Sequence, residues 1–164
     1  MNVDDCEIIV KLINELQAYQ HLEASKISVD SLRRDGGFTA EQPVKYFHVI
    51  IAEDDEVDDG QSSSITGNKT ILGYVLYYYA YQTAEGRVLW LEDIYVRSEY
   101  RARKAGAALM REVIRIARNF ELAVRLEVLD WNKDSIAFYE RFGARYLYTK
   151  DSNWLCYRID FKPE

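Results

Sequence analysis

The chain has 164 residues, of which 48% are hydrophobic and 13% aromatic, and its formal net charge is −6. This length is enough for one well-buried core and too short for two ordinary domains, so we expect a single domain over 1–164. The acidic balance disfavours a nucleic-acid partner, because nucleic-acid binding normally requires a basic face.

The two cysteines, Cys6 and Cys156, lie far apart in the chain and form no CxxC pair. The sequence therefore suggests neither a disulfide framework nor a metal site. It also shows no charged-then-apolar leader and no uninterrupted apolar run of about 18 residues, the signals of secretion and of membrane spanning. We expect a soluble, cytoplasmic protein with reduced thiols and no membrane partner.

Two helices are predicted near the N-terminus. From Asp4 to about His21 the apolar residues recur at helical spacing, which predicts an amphipathic helix with one stripe facing a core. Ser28 is typical of a helix N-cap, and it predicts a short helix through about Arg34 that ends at Gly36-Gly37.

Three strands and a polar stretch follow. Residues 45–53, 70–82 and 88–96 are rich in β-branched and aromatic residues and predict strands, the last two forming an antiparallel hairpin. Residues 53–59, EDDEVDD, hold six acids without periodicity and predict a loop. This loop is either a solvated connector or a cation-attracting lip beside a substrate site.

The second half of the chain alternates helices with strands. We predict a helix over 104–120, a buried strand over 123–129, a turn and short helix within 130–144, and strands over 144–149 and 154–161. Alternating helices and strands around a central hairpin favour an α/β fold, a mixed sheet with helices on both faces.

Two adjacent carboxylates, Glu92 and Asp93, interrupt the otherwise apolar strand VLWLEDIYV. Neighbouring strand residues point to opposite faces, so we expect at least one acid to be buried unless a β-bulge intervenes. Burial would raise a carboxylate's pKa towards neutrality, which suits a general base. The alternative is a structural carboxylate that pairs with an arginine or caps backbone N–H groups.

A basic turn, residues 101–104, separates this strand from the next helix. It carries Arg101, Arg103 and Lys104, and the helix is expected to begin around Ala105, with Gly106 as the only nearby glycine. A helix N-terminus offers unpaired N–H groups and a partial positive charge, which suits a diphosphate. A plain solvated turn is the alternative interpretation.

The stretch WNKDSIAFYERFGA forms a third cluster. It places Asn132 in a turn and Tyr139 on a helix, with Ser135 one helical turn before Tyr139 on the same side. The phenol of Tyr139 could donate a proton to a basic leaving group, or it could be an ordinary core tyrosine.

Together these clusters resemble the Gcn5-related N-acetyltransferase (GNAT) superfamily, and within it the diamine acetyltransferases that act on spermidine, spermine or thialysine. The resemblance covers nearly the whole chain and rests on LEDIYVRSEYRARKAGAAL at 91–109, VLDWNKDSIAFYERFGA at 128–144, NELQAY at 14–19 and NWLCYRID at 153–160. It implies a mixed, mostly antiparallel central sheet with splayed parallel strands at its centre, here 88–96 and 123–129.

The resemblance implies transfer of the acetyl group of acetyl-CoA to a primary amine of a small polyamine, diamine or thialysine-like substrate by direct attack. It makes Glu92 the base, acting through water, and Tyr139 the acid that protonates the departing thiolate. The residues that would bind acetyl-CoA are Ile94, Tyr95, Val96, Arg101, Ala102, Arg103, Lys104, Ala105, Gly106, Ala107, Asn132 and Ser135. The residues that would line the amine site are Tyr19, Gln20, Glu92, Asp93 and Trp154.

Some positions depart from the family's pattern. The turn is usually R-x-x-G-x-G, and Lys104 stands at the first glycine, where we expect a helix-like φ because the residue opens a helix. Gln20, Gln82 and Ala84 stand near positions where the diamine enzymes carry acids. Fewer fixed negative charges weaken discrimination for long polycations, so shorter diamines, thialysine-like amino acids and other monoamines are also candidate substrates.

Two other functions stay open from the sequence. The chain could be an acetyl-CoA-binding sensor without catalysis, against which the presence of both Glu92 and Tyr139 argues, or a protein-directed acetyltransferase. An open groove would favour a peptide substrate, and a closed pocket roofed by a second chain would favour a small amine. The resemblance also implies a homodimer.

Overall fold

The structure is a computed structural model that describes residues 1–40, 44–54, 70–101, 103–151 and 153–161. The helices are α1 (Cys6–Tyr19), α2 (Val29–Asp35), a 3₁₀ turn (Ser98–Tyr100), α3 (Ala105–Asn119) and α4 (Lys133–Arg141). The strands are β1 (His48–Asp54), β2 (Thr70–Gln82), β3 (Gly86–Val96), β4 (Ala123–Leu129), β5 (Arg145–Asp151) and β6 (Trp154–Ile159). Every predicted helix and strand is present, and most of the predicted loop over 53–59 lies outside the described residues.

The strands form one mixed sheet in the order β1-β2-β3-β4-β6-β5. Strands β3 and β4 are parallel, and β6 is antiparallel to both β4 and β5. The parallel register runs from Val88 and Ala123 to Leu91 and Leu126, while β3 continues to Val96 and β4 to Leu129. The predicted α/β fold class is confirmed.

The chain divides into two compact units. The first consists of Met1–Leu76 and Asp93–Met110, and the second of Tyr77–Glu92 and Arg111–Glu164. The single domain over 1–164 stays a prediction.

The first unit contains helical residues that pack on both faces of its strands. One apolar cluster joins the buried stripe of α1 to Leu32 of α2, Val49 of β1 and Ile71 and Tyr74 of β2. A second cluster contains Leu72 of β2 with Tyr100 and the first residue of α3. The strand neighbours Ile71 and Leu72 thus lie in different clusters, as expected for a strand covered on both faces.

The second unit is built around β4. Val124, Leu126 and Val128 are buried, and Arg125 between them is only 1% exposed. A strand that is buried along nearly its whole length is typical of the centre of a sheet in an α/β protein.

None of the helices in the described parts of the chain is long and apolar enough to cross a membrane. Within the same parts, no group of His, Cys, Asp or Glu side chains is arranged to hold a metal ion. Cys6 and Cys156 are both free thiols and both buried.

Candidate active site

Glu92 lies on an exposed part of β3, where aromatic neighbours orient its carboxylate. The indole Nε1 of Trp90 donates a hydrogen bond to Oε2 of Glu92 at 3.0 Å, and the ring of Tyr78 stacks on Trp90 with centroids 6.3 Å apart. Burial, followed by the charges of Glu92 and Glu127 and a hydrogen bond with Glu92, raises the pKa of Tyr78 to about 12. We call Tyr78, Trp90, Glu92 and Glu127 the acidic face.

The expectation that one of the two adjacent acids is buried is wrong. Glu92 is exposed and Asp93 is half-buried. The physical reason is that each carboxylate accepts a hydrogen bond on its own side of the strand, Glu92 from Trp90 and Asp93 from Tyr74. Oδ2 of Asp93 accepts a hydrogen bond of 2.9 Å from the hydroxyl of Tyr74, and Tyr74 is fully buried in the cluster with α1.

The end of β3 is held tightly against β2. A Cβ atom added to Gly73 would lie 2.1 Å from the carbonyl oxygen of Tyr95 and 2.9 Å from Cα of Val96, so only glycine fits. The backbone N–H of Arg97 donates to Leu72 at 3.0 Å. Because of these contacts the backbone of residues 94–96, the expected binding strip for the pantetheine arm, has a defined position.

Arg97 also ties this strand end to α1. Its guanidinium makes two hydrogen bonds of 3.1 Å to the carboxylate of Glu15, and its side chain is 8% exposed. The nitrogens Nε and Nη2 each donate to one carboxylate oxygen, and these hydrogen bonds offset the cost of partly burying the ion pair. It fixes the helix that carries Tyr19 relative to β3.

In the basic turn, the two arginines already have partners within the protein. The guanidinium of Arg101 stands 4.8 Å from the ring centroid of Tyr19, and its Nε donates to the carbonyl of Val96 at 3.2 Å. Arg103 pairs with Asp54, the last residue of β1, at 3.5 Å. The structure thus brings Tyr19 together with Arg101, while Ala102 lies outside the described residues.

The expected helix-like φ of Lys104 is wrong. Its φ is +64°, in the left-handed region that glycine adopts without strain. The reason is that α3 begins at Ala105 and the chain must turn sharply into it, although the carbonyl of Lys104 already accepts a hydrogen bond of 2.9 Å from the N–H of Ala108. This left-handed turn accounts for the glycine that the family's pattern has here. Gly106 and Ala107 follow within the first turn of the helix.

Asn132 is the N-cap of α4 rather than only part of a turn. Its side-chain oxygen accepts a hydrogen bond of 3.3 Å from the N–H of Ser135, and the residue is 7% exposed. Tyr139 lies on the same helix, 8% exposed, with its ring edge-on to Phe138 at 5.5 Å. The structure therefore brings Asn132, Ser135 and Tyr139 together on one short helix.

The remaining predicted residues lie at the ends of elements. Gln20 caps α1, its N–H donating to Leu16 at 2.9 Å, and Trp154 is half-buried at the start of β6 opposite Leu129. Gln82 ends β2, and its carbonyl accepts a hydrogen bond from the N–H of Glu85 at 3.1 Å, closing the hairpin turn that contains Ala84.

A polar network on β4 was missed by the sequence reasoning. Nη1 of Arg125 binds both carboxylate oxygens of Glu85, at 2.9 and 3.0 Å, and Arg158 pairs with the same carboxylate. Nη2 of Arg125 lies 3.2 Å from the hydroxyl of Tyr148 and 3.7 Å from Sγ of Cys156.

The same face carries Glu127, whose Oε2 accepts a hydrogen bond of 3.0 Å from Nζ of Lys150. A sequence signal for this face exists, because Arg125 and Glu127 alternate with apolar residues in VRLEV.

Comparison with known proteins identifies the family. The model of the acetyltransferase (GNAT) family matches residues 15–144. A thialysine N-epsilon-acetyltransferase of Bos taurus is 37% identical over 161 residues, which is 95% of this chain and 87% of the relative. A spermidine/spermine N(1)-acetyltransferase-like protein 1 of Homo sapiens is 33% identical over 95% of this chain and 21% of its own length.

Among solved structures, the PaiA N-acetyltransferase of Thermoplasma acidophilum in complex with coenzyme A matches with a TM-score of 0.64. The match covers 98% of this chain and 96% of that one, at 16% identity, and so supports the fold alone. The family match and the Bos taurus relative identify the family as well. The first spans most of this chain, and the second spans most of both chains. The chain therefore belongs to the acetyltransferase (GNAT) family and is an acetyl-CoA-dependent N-acetyltransferase.

Proposed function

We propose that the protein acetylates a primary amine of a small polyamine, diamine or thialysine-like molecule by direct attack, with Glu92 as base through water and Tyr139 as acid. The names of the cattle and human relatives support this substrate class. The observation that carries the proposal is the exposed carboxylate of Glu92, which Trp90 orients at 3.0 Å on a face rich in aromatic side chains.

Glu92 meets the first chemical requirement, deprotonation of the amine. An alkylamine with a pKa of about 10.4 is about three units too protonated at pH 7 to attack, a cost of roughly 4 to 5 kcal/mol. A carboxylate that reaches the ammonium through a water molecule removes this proton as the nitrogen forms its bond to the acetyl carbon. The exposure of Glu92 leaves room for that water.

Tyr139 meets the second requirement, a proton for the departing sulfur. The carbon–sulfur bond breaks as the amide forms, and a thiolate with a pKa of about 8.5 is mildly basic, so a tyrosine hydroxyl helps without being indispensable. The burial of Tyr139 on α4 holds the phenol in one orientation.

The residues of each unit suit acetyl-CoA, which supplies an acetyl thioester when bound. In the first unit, the basic turn presents three cations at the start of α3, where helix N–H groups point towards an anion. We assign the diphosphate to residues 101–107 and the pantetheine arm to the backbone of residues 94–96. In the second unit, Asn132 and Ser135 are assigned to the cofactor.

We assign Tyr19, Gln20, Asp93 and Trp154, like Glu92, to the binding of the amine. The role of Asp93 is indirect in this proposal, because its carboxylate already accepts the hydroxyl of Tyr74 at 2.9 Å. The proposal further takes the protein as a cytoplasmic homodimer. Size-exclusion chromatography with light scattering checks the dimer.

The decisive experiment is a thiol-release assay with acetyl-CoA against putrescine, spermidine, thialysine, agmatine and an aromatic monoamine. We expect saturable turnover with at least one aliphatic amine, whereas flat rates across the panel would favour the sensor function. A peptide that is acetylated faster than every small amine would favour the protein-directed function.

Tyr139→Phe tests the acid within that assay. We expect kcat to fall about 100-fold, the typical contribution of a general acid, while the dissociation constant of acetyl-CoA changes less than about twofold. Tyr146→Phe is the matched control, because this tyrosine is exposed and its hydroxyl is hydrogen-bonded to Thr149 at 3.0 Å. Unaltered turnover in Tyr139→Phe would remove Tyr139 from the mechanism.

A further inference from the structure

Two carboxylates of the acidic face lie near the same tyrosine. The parallel register ends at Leu91 and Leu126, and Glu92 and Glu127 are the next residues along the two strands. Burial and then the charges of both raise the pKa of Tyr78, so both carboxylates lie near its hydroxyl. Strand residues two apart share a face, so Glu92 and Glu127 project on the side of Trp90 and Arg125. Like charges opposite each other are unfavourable unless a cation lies between or beside them.

The acids of this region are neutralised in two different ways. Glu85 is held by Arg125 and Arg158, whose side chains are 2% and 19% exposed. One of these two guanidinium groups is buried, and taking the carboxylate of Glu85 away would leave its charge unpaired inside the protein. Glu85 is therefore unavailable to a substrate.

Glu127 is neutralised by an exchangeable partner. Its side chain is 17% exposed, and its cation is Lys150, whose side chain is 52% exposed. A solvent-exposed ion pair contributes little, because water hydrates the ammonium almost as well as the carboxylate does. The buried thiol of Cys156 lies 3.7 Å from the other oxygen, Oε1, and so limits the movement of the carboxylate when Lys150 leaves.

Lys150 is chemically an alkylammonium ion tethered to the protein. We infer that Glu127 is a specificity-determining residue that binds the second ammonium group of a short diamine, and that Lys150 occupies this position until the substrate displaces it. The inference rests on the proposed function, because the first nitrogen of the diamine is the one that Glu92 deprotonates.

The spacing of the carboxylates selects the length of the substrate. Strands β3 and β4 are paired as far as Leu91 and Leu126, and paired strands lie about 5 Å apart. Glu92 and Glu127 follow directly, so a short diamine with about two to four carbon atoms between its nitrogens suits the two carboxylates. The rings of Trp90 and Tyr78 beside Glu92 suit an alkyl chain and an ammonium group. A negative charge from β4 thus compensates for the neutral residues Gln20, Gln82 and Ala84.

The test is the ratio of kcat/KM for putrescine to that for butylamine, two amines that differ mainly in the second ammonium group. In Glu127→Gln we expect this ratio to fall about tenfold, through KM of putrescine. Lys150→Met, which removes the competing cation but keeps an apolar stem, should raise the ratio about threefold. Lys150→Arg keeps the cation, so the ratio should stay close to that of the unaltered protein.

The opposite signs separate a binding role from a structural one. Glu127→Gln and Lys150→Met break the same ion pair, so a purely structural effect would shift the ratio in the same direction in both variants and would overturn the inference. Glu121→Gln, an exposed glutamate in the turn before β4, is the control for charge alone. A ratio unchanged in Glu127→Gln would also overturn it.

Failure of the proposed function has a different signature. If no amine of the panel releases thiol, the small-amine function falls and the inference falls with it. Thiol release with another amine of the panel, but with neither putrescine nor butylamine, overturns the inference alone. Turnover of both amines with a ratio that does not respond to Glu127→Gln overturns the inference alone.

Discussion

The acidic face and the basic turn are opposite in charge but are built on the same principle. On the acidic face, Lys150 pairs with Glu127, and in the basic turn Asp54 pairs with Arg103 while the ring of Tyr19 lies under Arg101. In both regions, the protein satisfies with its own side chains the charges that it would offer to a ligand. Binding is then an exchange of partners, and its free energy is a difference between two similar interactions.

The two regions differ in how firmly the internal partners are held. Arg101 has two partners, the Tyr19 ring and the Val96 carbonyl at 3.2 Å. Glu92 is held by neutral donors that need not leave, because a carboxylate accepts several hydrogen bonds at once. We therefore expect substitution of Glu92 to alter turnover, and substitutions in the basic turn to alter cofactor affinity by smaller factors.

The largest effect is expected for Glu92→Gln. The amide keeps the acceptor for Trp90 but does not take a proton from the amine, so kcat/KM at pH 7 should fall about 100-fold. The deficit should shrink as the pH approaches the amine pKa of about 10.4, since the substrate then deprotonates unaided. Glu99→Gln, at an exposed glutamate in the 3₁₀ turn, is the control. A deficit that is constant with pH would contradict the role of base.

The next largest effect is expected for Gly73→Ala, and it is a loss of stability rather than of turnover. The new Cβ would lie 2.1 Å from the Tyr95 carbonyl oxygen, and this backbone atom moves only if β3 shifts. Overpacking of this kind lowers the free energy of unfolding by about 3 kcal/mol. Urea denaturation measures it, and acetyl-CoA binding should weaken as residues 94–96 move. Gly86→Ala is the comparison, because the space around Gly86 is open and only its φ of +81° resists a side chain.

In the basic turn, Arg101→Ala should raise the acetyl-CoA dissociation constant about tenfold, as expected for the loss of one charge-assisted hydrogen bond. Arg111→Ala, an exposed arginine further along α3, removes the same charge elsewhere and should have little effect. Isothermal titration calorimetry distinguishes them. Equal weakening in both variants would mean that general charge, not the position of Arg101, binds the cofactor.

The smallest effect is expected for Lys104→Gly. Glycine relieves the left-handed strain at φ +64°, which should raise the free energy of unfolding by about 1 kcal/mol. The acetyl-CoA affinity should stay within about tenfold. Glu121→Gly is the matched control, since Glu121 has a φ of +54° and lies outside the turn. A much larger loss of affinity in Lys104→Gly would show that the ammonium itself binds the cofactor.

The elements of the fold were predictable because their signals are local. The recurrence of apolar residues in α1, α3 and β4 reflects the geometry of a helix or strand, and it is readable from neighbouring residues alone. The cap at Ser28 was equally local, since its side chain accepts from the N–H of Ser31 three residues away.

The environment of the candidate catalytic carboxylates was less predictable. The strand period shows that Glu92 and Asp93 lie on opposite faces, but not that Trp90 would donate to one and Tyr74 to the other. Lys104 is a similar case, because a lysine before a helix has no local feature that demands a positive φ. The turn geometry is imposed by how the chain must enter α3.

The sequence by itself determined the order of the helices and strands, the α/β class and the motifs that identify the GNAT family, because each depends on residues close together in the chain. Only the tertiary structure decided which charges meet. Arg97 and Glu15 are 82 residues apart, and Lys150 and Glu127 are 23 apart. Such pairs form because the sheet places distant segments side by side, and electrostatic interactions depend on that distance in space rather than on distance along the chain.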